Sequence, residues 1–98
     1  MSPIIITIYA LATLMSTGEP KEFFSQQLSF STREECIAYF ETNQAELLNG
    51  LMTYARTAHD SQVEIKESGC ALVDFTNYQI NGQPKILQTH PMYQPTSA

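Results

Sequence analysis

One apolar stripe at helical spacing limits what this chain can become. Counting 100° per residue from Cys36, the side chains of Cys36, Ile37, Phe40, Leu47, Leu48, Leu51, Tyr54, Ala55 and Ala58 fall within an arc of roughly 120°. A helix with such a stripe has to lay it against another layer. Gln44 is the main polar intruder. Ser31 with Glu34, and Thr32 with Glu35, form two overlapping capping boxes, in which a hydroxyl accepts from an unpaired amide of the first turn. Glu34 and Glu35 also sit at the positive end of the helix dipole, and Arg56 and His59 near the negative end. The stripe keeps its phase through Thr42-Asn43-Gln44, so the spacing predicts one helix over 32–58. A second cap signature at Asn43-x-x-Glu46 and the presence of Gly50, about 1 kcal/mol poorer than alanine in a helix, mark where it can break or kink.

The other layer must come from strands. Residues 3–15 are the most apolar stretch, and the β-branched run Ile4, Ile5, Ile6, Thr7, Ile8 predicts a strand with two apolar faces, hence a central one. The turn formers Ser16-Thr17-Gly18-Glu19-Pro20 then reverse the chain. Phe24, Gln26, Leu28 and Phe30 alternate with Phe23, Ser25, Gln27 and Ser29, the pattern of a half-buried strand that closes an antiparallel hairpin. After the helix, Val63 and Ile65 begin another alternation. Ser68-Gly69 interrupts it as a turn or a bulge, and Cys70–Phe75 resumes it. Asn81-Gly82 is a two-residue hairpin signal, with Ile86 and Leu87 on the returning strand and Pro84 confining that strand to an edge.

These elements predict an α+β domain over residues 1–87. It is an antiparallel sheet of four to five strands with one long helix on one face, in the order β-β-α-β-β(-β), followed by an extended Pro-containing tail over 88–98. The helix stripe, Ile4, Ile6, Ile8, Leu28, Phe30, Val63, Ile65 and Leu72 are its expected core.

Cys36 lies on the inward stripe and Cys70 opens a strand below it, so a helix-to-sheet disulfide is compatible with the pattern. Two reduced, buried thiols behaving as small hydrophobes fit it as well. A reactive thiol does not: Glu34, Glu35 and burial all disfavour a thiolate at Cys36, and no Cys-x-x-Cys is present.

Function classes are narrowed mainly by what is missing. A net charge of −5 with five scattered basic residues is a poor footprint for nucleic acid. The 3–15 stretch is shorter than the roughly 20 residues of a membrane-spanning helix. It also lacks the basic lead of a secretory signal, since the first basic residue is Lys21. A cytoplasmic or assembly-bound setting is favoured, with the compartment left open. His59 and His90 are the only imidazoles, one beside a helix end and one in the tail. No metal spacing, cofactor loop or nucleophile motif occurs, so no enzyme, cofactor or metal is expected.

Charged residues make up only 15% of the chain, which leaves its surface weakly protected against association. On the outward side of the helix, Ala38, Thr42, Ala45, Asn49 and Thr53 form a small-residue strip, with Glu46 and Arg56 at its margins, that another backbone could approach closely. Phe23 with Tyr9 offers a second candidate surface, and Met92 and Tyr93 would anchor the tail as an arm over a neighbour. The expectation is a non-enzymatic protein-interaction module, a small subunit or accessory component binding a protein partner or its own copies. The alternatives are an acidic inhibitor of a basic target and a small disulfide-stabilised extracytoplasmic domain.

Overall fold

The computed structural model describes residues 4–25, 28–76 and 84–95. Along the chain come β1 (Ile4–Leu14), β2 (Pro20–Phe24), α1 (Arg33–His59), β3 (Val63–Asp74) and β4 (Lys85–Tyr93). The strands make one antiparallel sheet in the order β2-β1-β3-β4. Cys36 and Phe40 of α1 pack against Ile8 and Cys70 on one face of it. This is the expected α+β architecture, with the Ile-rich β1 in the interior of the sheet. No fifth strand occurs among the described residues, and the Asn81-Gly82 turn lies outside them.

Thr32 is the cap in use: its hydroxyl accepts from the Glu35 amide at 3.2 Å. At the other end Asp60 takes the left-handed conformation (φ 51°), which a short polar side chain tolerates. Between them the helix kinks at Asn43 (φ −117°, ψ 20°). In the first half Cys36 and Phe40 are fully buried; beyond the kink only Ala55 is, with Leu47, Leu48, Leu51 and Met52 partly buried. Tyr54, expected inside, is 57% exposed, and Ala58 is exposed as well.

In β3 the second of the two alternatives for Ser68-Gly69, the bulge, is the one that occurs. Ser68-Gly69 does not turn the chain; one strand runs from Val63 to Asp74, and its register against β4 shifts there as a bulge. A further irregularity against β1, between Leu11 and Ala12, leaves Lys66 without a cross-strand partner. One extra residue reverses the alternation. Ser68 and Cys70 therefore share the helix-facing side with Ile65, which pairs with Ala12.

β2 also ends earlier than the alternation predicts, at Phe24 rather than Phe30. The Ser25 amide still donates to Ile8, but Leu28 then folds back onto the Ser25 carbonyl, and the chain rejoins β1 only at the Phe30–Ile6 bridge. Thr7, fully buried, secures this detour. Its hydroxyl lies 2.7 Å from the Ser25 carbonyl and 2.6 Å from that of Leu28, donating its one hydrogen to either. Phe23 consequently faces the helix and Phe24 the far side of the sheet, where its ring meets Phe75.

That far side carries a second core. Tyr9, Ala71 and Val73 are buried there with Leu11, Phe24, Phe75 and Ile86 against them, whereas Ile4, expected in the core, is 41% exposed. Finally, the chain from Gln88 to Tyr93 is strand β4 rather than tail. Pro91 sits in this edge strand, where a missing amide need not interrupt a ladder.

Candidate binding surface on the helix and its groove

The five small residues of the outward strip, Ala38, Thr42, Ala45, Asn49 and Thr53, are all solvent-exposed along α1. Two of them are tied to the helix itself: the Thr42 hydroxyl donates to the Ala38 carbonyl, and the Thr53 carbonyl accepts from Thr57, both at 3.0 Å. The strip is thus an uncharged, low-relief surface. Met92 and Tyr93 lie apart from it. They are half-buried in β4 and pack against the cluster containing Cys36 and Phe40, so they anchor the chain to its own core and not an arm to a neighbour. Tyr9, the other aromatic expected at the surface, is 1% exposed and stands opposite Phe24, not Phe23.

Sequence reasoning missed a groove between α1 and the β1–β2 hairpin. It is open to solvent, encloses about 1360 Å³, and is walled in part by Ala10, Phe23, Leu28, Leu47, Leu51 and Tyr54. The Phe23 ring makes edge contacts with Tyr54 (6.2 Å) and His59 (5.9 Å), forming an aromatic rim at the end of the helix. Phe30 and Tyr39 form a second pair at 5.5 Å. The signal was present in the aromatic residues, but nothing local in the sequence pairs Phe23 with Tyr54. Gly50 also borders the groove, and a Cβ built on it meets nothing within 4 Å. Gly50→Ala should therefore raise the unfolding free energy by up to about 1 kcal/mol, the helix propensity difference. Thermal melts would show this, and a destabilised variant would mean that the glycine serves a backbone role.

The groups best placed for acid–base chemistry are Tyr9 and Glu67. The Tyr9 hydroxyl donates to Glu67 Oε2, while Oε1 accepts from Gln94 Nε2 at 2.9 Å. Burial first, and then the Glu67 carboxylate, push the Tyr9 phenol well above its usual value of 10.0. A buried phenol held protonated lacks both access and activation, so this pair fastens β1, β3 and the segment after β4. Because the folded-state value is raised, the folded chain holds a proton that the unfolded chain releases. The pair's stabilisation is full below about pH 10 and is lost as the pH climbs beyond that. Unfolding midpoints should fall above pH 10 more steeply for the wild type than for Tyr9→Phe, and parallel profiles would contradict the linkage.

His59 lies in the last helical turn and its ring meets Phe23. His90, expected in an unstructured tail, is paired with Cys70 in β4 and borders a small cavity of about 100 Å³ beside Arg33. Among the described residues no three His, Cys, Asp or Glu side chains come together as metal ligands would, and no helix is long and apolar enough to cross a membrane. Cys36 and Cys70 are joined as a disulfide, Cα atoms 6.1 Å apart, both buried. The class so defined is a disulfide-linked helix-on-sheet domain with an uncharged helix face and an aromatic-rimmed groove. The chain matches no protein-family model and no curated protein, and no solved structure matches it.

Proposed function

We propose that this chain is a non-enzymatic protein-interaction module that binds a protein partner or its own copies through the outer face of α1. The observation that carries the reading is the exposure of the whole uncharged strip from Ala38 to Thr53. Small side chains let a facing helix or strand approach closely, and they lose little side-chain entropy when covered. The aromatic rim supports the reading, because tyrosine and phenylalanine are enriched at the centres of protein interfaces. Ala45→Glu puts a long charged side chain in the middle of the strip. It should weaken association at least about tenfold, as burying an unpaired charge would, while leaving the melting temperature within a few degrees. Sedimentation velocity over a concentration series, with and without the partner, reads this; assembly unchanged by the substitution would overturn the proposal.

The disulfide favours a second, compatible reading, that the module works in an oxidising compartment. Structural disulfides persist outside the reducing cytosol. Alkylation of freshly lysed source material without reductant should then leave Cys36 and Cys70 unlabelled. Full labelling of both would remove the extracytoplasmic reading and leave the interaction proposal standing.

A further inference from the structure

The helix that roofs the groove is held firmly at its two ends and only lightly in its middle, where Leu47 packs against the edge of the core and Tyr54 meets Phe23. Near its start, Cys36 is bonded to β3 and Phe40 is fully buried; near its end, Ala55 is fully buried and the chain passes directly into β3. Between Asn43 and Tyr54 no side chain is fully buried. Leu47, Leu48, Leu51 and Met52 are only partly covered, because the groove lies where a packed layer would otherwise be.

The start of this middle segment is already a break in the helix. Asn43 leaves helical geometry, and the side chains beside the break bond to the turn before it. Thr42 Oγ1 donates to the Ala38 carbonyl, and Asn43 Nδ2 donates to the Tyr39 carbonyl at 3.0 Å. Side-chain insertion of this kind is a recognised cause of kinks. Seven residues on, Gly50 adds the largest backbone freedom a helix interior can contain short of proline, and it is exposed. Few buried contacts, a pre-broken ladder and a central glycine are the features of a segment that opens below the global unfolding free energy.

We propose that residues 43–54 of α1 form a gate over the groove, a segment that unwinds and recloses between two fixed anchors while the sheet and both helix ends stay folded. Opening widens the groove beside Ala10, Phe23 and Leu28 without releasing the helix from the sheet, because the disulfide and Ala55 hold its ends. The gate is a property of the isolated chain, so it stands or falls apart from the interaction reading.

Hydrogen–deuterium exchange on the full oxidised chain tests it. Amides of residues 47–54 should exchange at least about tenfold faster than those of 37–41, as expected when local opening is easier than global unfolding. Gly50→Ala should slow the middle segment by about fivefold, in line with its helix propensity gain. Protection of 47–54 equal to or above that of 37–41 would overturn the gate. So would a Gly50→Ala variant that leaves exchange of 47–54 unchanged, since the middle would then not be opening by unwinding at this position.

Discussion

Replacing both cysteines with alanine should lower the unfolding free energy by about 3–4 kcal/mol, the chain-entropy value for a closed loop of this length. Cys36 and Cys70 lie 34 residues apart in sequence, and the bond ties the first half of α1 to β3. Both sulfurs lie in the cluster with Ile8 and Phe40, so alanine leaves only a small volume unfilled. The effect then comes from the unfolded chain, which gains the freedom of an unclosed loop. For a domain of this size the melting temperature should fall by roughly 15–25 °C. Urea unfolding of the double variant against the oxidised wild type gives the figure. A loss below about 1 kcal/mol would mean that the unfolded chain is already restricted and that the cross-link is incidental.

Gly69→Ala should be the most damaging single-methyl change in the sheet. A Cβ at this position would lie 2.3 Å from the His90 carbonyl oxygen and 2.7 Å from the Met92 amide nitrogen. Both are backbone atoms of β4, drawn close by the bulge at Ser68/Gly69, and no rotamer change relieves the contact. β4 must shift or detach, and Met92 and Tyr93 would leave the cluster around Cys36 and Phe40 with it. The expected cost is about 3 kcal/mol, the upper part of the range for overpacking, with amides of residues 85–93 losing most of their exchange protection. A Gly69→Ala protein that keeps β4 protected and melts within a few degrees of the wild type would contradict the close approach.

Much of the architecture could be read from residues near one another in the chain. Ile4–Ile8 announced a strand, Thr32 and Glu35 a helix start, and Asn43 the place where that helix kinks, whereas it runs unbroken through Gly50. What could not be read depends on contacts across the sheet. The parity of β3 is reversed by a bulge at Lys66, which no local pattern marks. Phe23 and Phe24 exchange their expected faces because Thr7 holds the chain in a detour after Ser25. Met92 and Tyr93 read as a tail because Pro91 and Pro95 hide a strand whose end pairs across the sheet, Tyr93 with Ser68, and not with its chain neighbours. Of the candidate surface, the small-residue strip was visible as a spacing of three and four. The groove beside it was not, since it lies between α1 and a β1–β2 hairpin whose second strand is only five residues long, and its walls come from residues far apart in the chain.

Native mass spectrometry on protein taken from its source without reductant bears most directly on the interaction reading, with Ala45→Glu run in parallel. The wild type should appear as a defined complex with a partner or with its own copies, and Ala45→Glu as the single chain. After denaturation the chain should be two hydrogens lighter than its reduced mass. A wild type that flies as a lone chain across the accessible concentration range, or an Ala45→Glu protein with the same stoichiometry as the wild type, would contradict a binding role for the outer face of α1.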